Sequence, residues 1–268
     1  MRAALRSPTL LAGAAILSFW IACALLGSRM TPLDPYADDL LATLAAPSGA
    51  HWFGTDQLGR DVFSRVIVGA RDILIVAPLA TALGALLGTA LGLVVGYVRG
   101  ALDDIVSRVI EALQALPLVI VALMALAALG TSNLTVVLVI GFVFTPLIAR
   151  TVRAATLGEV ELDYVAAARV RGDGAFAIMF VEILPNVLPL AIVEMTVRLG
   201  YAIFFVATLS FIGFGIQPPS ADWGIAIAEN YSLIGRYWWT VLFDAGATAS
   251  LIIAVNLVAD GLQALVEQ

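Results

Sequence analysis

The sequence predicts an all-α, polytopic membrane protein: six transmembrane helices in a single membrane domain over 1–268. Three observations predict it. The 268-residue chain is 61% apolar and only 13% charged, too apolar for an ordinary water-soluble domain. Five or six apolar runs reach, or nearly reach, the length needed to cross a hydrocarbon core of about 30 Å. Between two of these runs a polar, helix-compatible island, Glu159 to Pro189, breaks the pattern.

The first run, about 10–27, follows Arg2 and Arg6. It is longer than a secretory signal core and further spans follow, so it reads as an uncleaved first span. Cys23 lacks the leucine expected three positions before a lipidated cysteine and reads as a buried small residue. A polar connection over 28–72 ends in Asp61–Arg71. There Val62, Phe63, Val66, Ile67 and Ala70 oppose Asp61, Arg65 and Asp72, which predicts a short helix lying on the membrane surface. Span two, about 73–98, carries Gly84, Gly88, Gly92 and Gly96 on one face, a groove for close helix approach. Leucine at Gly88 or Gly92 is then expected to hold the helices apart and impair assembly of a heteromer.

Span three, about 107–129, begins with Arg108, Glu111 and Gln114 and is expected to kink at Pro117. Span four is about 134–152. After the island come span five, about 187–212, and span six, about 240–260, with Trp238 and Trp239 as interfacial anchors. Six spans place both termini on one side. Eight arginines flank that side (Arg2, Arg6, Arg99, Arg108, Arg150, Arg153, Arg169, Arg171) against five on the other (Arg29, Arg60, Arg65, Arg71, Arg236), which favours cytoplasmic termini and a cytoplasmic island.

Composition excludes several functions. All fourteen basic residues are arginine, and a Walker A loop needs lysine on its phosphates, so this chain is not a standard P-loop ATPase. One cysteine and one histidine exclude a disulfide framework and a His/Cys zinc site. A net charge of −6 without a basic patch argues against nucleic-acid partners.

Within the island, Glu159 to Arg171 contains no proline or glycine, and Ala166, Ala167 and Ala168 are strong helix formers. Glu159, Glu161 and Asp163 in the first turns, with Arg169 and Arg171 in the last, suit the helix dipole, and Gly172 and Gly174 end the helix. A second helix is expected over Ala175–Leu184, with Phe176, Met179, Phe180 and Ile183 on one face and Pro185 closing or bending it. The small-residue face suits either insertion into a partner's cleft or rest on the bilayer.

Three separated segments carry a family resemblance. The island's Asp163-Tyr164-Val165-Ala166-Ala167-Ala168-Arg169, Gly172 and Ile183-Leu184-Pro185-Asn186 resemble the cytoplasmic coupling loop of ATP-binding-cassette importer permeases. Phe53-Gly54-Thr55-Asp56-Gln57-Leu58-Gly59-Arg60-Asp61 and Leu209–Pro219 with Trp223-Gly224, Asn256-Leu257 and Asp260-Gly261-Leu262 resemble the C-type permease of dipeptide, oligopeptide and nickel uptake systems. The likeness covers nearly the whole chain. It departs where the family usually has glutamate and this chain has Ala166, and leucine where it has Arg171; docking would then lean on Glu161, Asp163 or Arg169.

The resemblance implies half of a translocation pathway, most naturally for dipeptides or oligopeptides, with nickel or another small solute as the family's alternative. It implies a multi-pass protein of the bacterial inner membrane. Its partners would be a second homologous permease, two cytoplasmic ATPase subunits and an extracytoplasmic solute-binding protein. This chain would be non-catalytic and bind no cofactor, with ATP and magnesium held by the ATPase subunits. The rival from another class is an ion-coupled secondary transporter or channel, with the island as a regulatory loop.

Inside the membrane, Glu194 and Arg198 share one face of span five. They read either as a bracing ion pair or as pore groups, and Glu111, Gln114 and Asn256 are further pore candidates. Asp244 and Asp260 divide in the same way. In the outer loop, Asp56 and Asp61 suit bracing and capping with Arg60 as partner, and a receptor contact is the alternative.

Overall fold

The computed structural model describes residues 8–266; Arg2 and Arg6 lie outside them. Among the described residues the architecture is all-helical, apart from one isolated bridge between Thr55 and Asp61. The elements are α1 (Pro8–Met30), α2 (Val62–Val98), α3 (Gly100–Gln114), α4 (Leu118–Leu129), α5 (Asn133–Glu159), α6 (Asp163–Arg171), α7 (Ala175–Ile212), α8 (Trp223–Asn230) and α9 (Trp239–Val266). Five of them, α1, α2, α5, α7 and α9, are long and apolar enough to cross a membrane.

The core is the contact of α2 with α5, the most extensive in the molecule. The glycine face of α2 makes it. A Cβ at Gly88 would sit 2.8 Å from Ile148 Cβ, and one at Gly92 only 2.6 Å from the Ala149 carbonyl. The groove expected from the glycine spacing is therefore filled, but by this chain's own α5. Leucine at Gly88 or Gly92 would therefore act first on the subunit's own α2–α5 contact, and on assembly only through it.

Register along this contact decides the topology. Gly84 faces Gly141 and Phe144, and Gly96 faces Thr156 and Arg153, so α2 and α5 run parallel. The chain must therefore return across the layer between them, and α3 with α4 makes that return. The pair is bent by 91° at Ala115–Pro117, a break much sharper than the kink expected within one span over 107–129. Pro117 supplies no amide, and α3 has only Ile110 buried while α4 is apolar throughout, so the two halves occupy different environments. The fold thus has six crossings, one of them broken.

α1 packs antiparallel on α9. Gly13 lies against Ala254 and Leu257, Gly261 against Leu10, and Trp20 Nε1 donates to Ser250 Oγ at 2.9 Å. Pro8 and Val266 consequently end on the face where α2 finishes and α6 lies.

The expected surface helix over 61–71 is instead the first part of α2, continuous to Val98. Asp61 caps it, accepting from the Ser64 amide at 2.8 Å. Its polar side is buried beneath the outer loop rather than solvated: Asp61 and Arg65 are as inaccessible as Val62 and Val66. Trp239 is likewise no interfacial anchor. It is buried and donates through Nε1 to the Thr55 carbonyl at 3.1 Å, while Trp238 stays exposed.

Candidate functional site

The polar island opens as a turn, not as a helix. α5 runs on to Glu159, and Val160-Glu161-Leu162 reverses the chain before α6 begins at Asp163. Val160 is buried there, and the Tyr164 hydroxyl donates back to Glu159 Oε2 at 2.7 Å, fastening the turn. Partial burial, reinforced by that carboxylate, pushes the Tyr164 phenol up to about 12. Of the three acids expected in the first turns, only Asp163 is in α6. Glu159 belongs to α5, and Glu161 lies in the turn, paired with Arg99 at 2.6 Å.

α6 has two faces set by its i, i+3 spacing. Val165 and Ala168 are fully buried against the chain, whereas Ala166, Ala167, Arg169 and Val170 face outward, Val170 at 90% exposure. The three alanines therefore do not form one docking surface: Ala168 is an anchor, and the outward small patch is Ala166, Ala167 and Val170. Gly172 ends the helix at φ +85, and the Asp173 amide closes onto the Ala168 carbonyl at 3.1 Å. Arg171, the departure from the family pattern, bridges Asp173 (2.7 Å) and Glu182 (2.6 Å) and so ties the end of α6 to the start of α7.

The expected second helix over Ala175–Leu184 is no separate element but the first turns of α7, which continues to Ile212. Pro185 does not close it. The segment Ile178–Ile183 widens into a π-turn, where the Leu184 amide reaches the Met179 carbonyl. Pro185 has no amide for the helix ladder, and the Asn186 side chain donates to the Glu182 carbonyl at 2.8 Å instead. Met179 and Ile183 are buried while Phe176 is exposed, so the four-residue apolar face is split.

The pore candidates fall into two groups, one where α3 meets α5 and one on α7 and α9. Gln114, the last residue of α3, packs against α5: its amide donates to the Pro146 carbonyl (3.4 Å) and its oxygen accepts from Arg150 (2.9 Å), with Glu111 exposed one turn earlier. On α7, Arg198 donates to Glu194 through Nε at 2.8 Å and lies 5.7 Å from the Tyr201 ring centroid. Asn256 on α9 is exposed, with its amide seated at Gly200, where a Cβ would lie 2.5 Å from Oδ1. Asp260 is also exposed, but Asp244 is buried under the outer loop.

The outer-loop motif forms a cap. Asp56 accepts from the amides of Leu58 (2.9 Å) and Arg60 (3.0 Å) and from Arg60 Nε (2.6 Å). Arg60 also reaches Glu229 on α8 at 2.5 Å. Asp61 caps α2 and meets His51 Nδ1 at 3.0 Å. Gly54 and Gly59 both have φ +76, and a Cβ at Gly59 would collide with the Asp39 carbonyl at 1.7 Å, so both glycines are required by the turns they make. Arg65, Trp223 and Trp239 complete the cap. The sequence reading named all three but not this role, because their partners lie far along the chain.

Among the described residues no group of three or more His, Cys, Asp or Glu side chains is placed to hold a metal. Comparison with known proteins agrees with the fold. Residues 88–268 match the family described as "Binding-protein-dependent transport system inner membrane component". The dipeptide transport system permease protein DppC of Escherichia coli (strain K12) is 40% identical over 93% of this chain and 82% of its own length. The probable D,D-dipeptide transport system permease protein DdpC of the same strain is 34% identical over 97% and 88%. DppC of Bacillus subtilis (strain 168) is 35% identical over 94% and 79%. With six crossings and a helix presented at the end of the bundle, the chain belongs to the family of inner-membrane components of binding-protein-dependent transport systems.

Proposed function

We propose that this chain is one of two permeases forming the translocation pathway of an ATP-driven importer for dipeptides or short oligopeptides. A solute-binding protein delivers the peptide on the outer side, and two ATPase subunits dock on the inner side, one on α6. The peptide assignment rests on the relatives, whose names specify dipeptide and D,D-dipeptide transport. The pathway would run beside α7, where Glu194, Arg198 and Asn256 supply polar groups. The face bearing α6, Pro8 and Val266 is cytoplasmic in this reading. Two of the five arginines assigned to the outer side support it: Arg60 and Arg65 are taken up by the cap and do not act as membrane-flanking charges.

The observation that carries the proposal is the outward face of α6. Ala166, Ala167 and Val170 are exposed on a short helix held at both ends by its own chain, an apolar patch outside the spans that a protein partner would cover. Ala167→Trp adds a large ring where nothing in this chain crowds it, and Gly172→Pro forces a negative φ onto a left-handed cap. Both variants should reach the membrane at normal abundance, lose co-purification with the ATPase and abolish binding-protein-dependent uptake in reconstituted vesicles. Normal ATPase binding and uptake by both would remove α6 as the docking element.

A further inference from the structure

The inner end of α2 lies outside the polar island, yet it holds the island on both sides of α6. Arg99 sends Nη2 to Glu161 Oε1 at 2.6 Å, just ahead of α6. The same nitrogen donates to the Leu157 carbonyl at 3.3 Å, in the last turns of α5. Two residues earlier, the Tyr97 ring faces the Arg169 guanidinium at 5.7 Å, near the end of α6. Arg99 is also the hinge residue of its own chain, ending α2 and starting α3 at φ +57. A non-glycine residue there is strained, and glycine would adopt the conformation freely. The position instead holds a long side chain that touches two other elements.

α2 can carry what reaches it. Its 37 residues extend about 55 Å, from this end to the outer cap that Asp61 anchors. The glycine contact makes α2 and α5 one packed body, since no atom can be added at Gly92 without displacing backbone.

We propose that Arg99, assisted by Tyr97, is the link that passes movement of the docked loop into the α2–α5 pair and through it to the outer cap. Arg99 is a positioning residue for coupling and not part of the docking surface. The inference rests on the reading that α6 docks an ATPase.

The test uses the full transporter in vesicles, measuring ATPase co-purification, ATP hydrolysis and peptide uptake for Arg99→Gln, for Tyr97→Leu, and for the exchange of Arg99→Glu with Glu161→Arg. Arg99→Gln should keep co-purification and hydrolysis but lower uptake per ATP at least roughly fivefold, the lower end of typical coupling between sites. Tyr97→Leu should lower it less, and the exchange should recover most of the loss. Unchanged uptake per ATP in Arg99→Gln, loss of ATPase co-purification in that variant, or an exchange no better than the single change would each overturn the link. If the link fails while Ala167→Trp still abolishes uptake, docking on α6 stands and only the route through α2 is wrong.

Discussion

The two ends of the helical bundle are built on opposite principles. At the outer end, polar groups are buried and tied across long stretches of sequence: Arg60 to Glu229, Trp223 Nε1 to the Val66 carbonyl at 2.9 Å, and Arg65 to the carbonyls of Pro35 and Ser220. At the inner end, Arg153 and Asp103 form a half-buried pair between α5 and α3, but the bridges within the polar island lie at the surface. Arg171 with Asp173 and Glu182 is local and exposed, while half-buried Arg99 ties Glu161 and the Leu157 carbonyl to the end of α2. Buried polar groups are costly to leave unpaired, so the cap holds one arrangement. Exposed pairs contribute little and exchange readily with water or a partner. The buried polar groups named at the outer end find partners within this chain, whereas the inner end carries the exposed small-residue patch of α6 and the solvated bridges of Arg171.

The largest test of that contrast is Trp223→Ala. The ring is fully buried, donates to Val66 and meets Trp20 edge-on at 4.9 Å. Its removal should cost about 3–5 kcal/mol, as large-to-small core changes do. Thermal unfolding of the detergent-purified subunit reads it, and a loss under roughly 1 kcal/mol would show that the cap is not interlocked.

A smaller effect is expected from pH. Asp222 caps α8 through the Ile225 amide at 3.0 Å. Burial pushes its carboxyl up to about 6, with the Asp72 charge adding to the shift. Its Oδ2 is buried with no hydrogen-bond partner among the described residues, as expected of a carboxyl that favours its neutral form. The folded pKa lies above the unfolded value of about 4, so the fold binds more protons between them. This contribution is fully present below about pH 4 and is lost as pH rises through about 6, a change on the order of 2–3 kcal/mol. Asp222→Asn keeps a capping side chain and should flatten the fall in melting temperature between pH 5 and 7. An equal slope in the variant would break the assignment.

The smallest effect belongs to the inner end. Arg171→Gln removes a surface bridge whose two acids keep their solvent, so the melting temperature should not move. A drop comparable to the loss in Trp223→Ala would erase the distinction between the two ends.

Much of the fold was legible because its signals are local or periodic. Apolar runs mark membrane spans wherever they occur, since unpaired backbone is not tolerated in hydrocarbon. The glycines of α2 at every fourth residue likewise declare a face on which another helix lies. The identity of that helix was not legible, because periodicity names a face and never its partner. The turn at Val160–Leu162 was also hidden: without proline or glycine, only the inward packing of Val160 and the Tyr164–Glu159 bond mark it. The outward small-residue patch of α6 was half visible. Three adjacent alanines were evident, but the division between buried Ala168 and exposed Ala166 and Ala167 depends on which way α6 lies.

By itself the sequence determined the membrane setting, the all-helical class, the interrupting polar island and, through three separated motifs, the family. Each is a property of composition or of short segments, and transfer free energy and helix propensity act residue by residue. Only the tertiary structure decided that α2 and α5 run parallel, that the segment between them is a broken crossing, and that Arg60, Arg65, Trp223 and Trp239 close the outer end. Those features depend on contacts between residues as much as 184 positions apart, as for Trp239 with Thr55. A buried hydrogen bond stabilises only when both partners arrive together, and their meeting is set by the path of the whole chain.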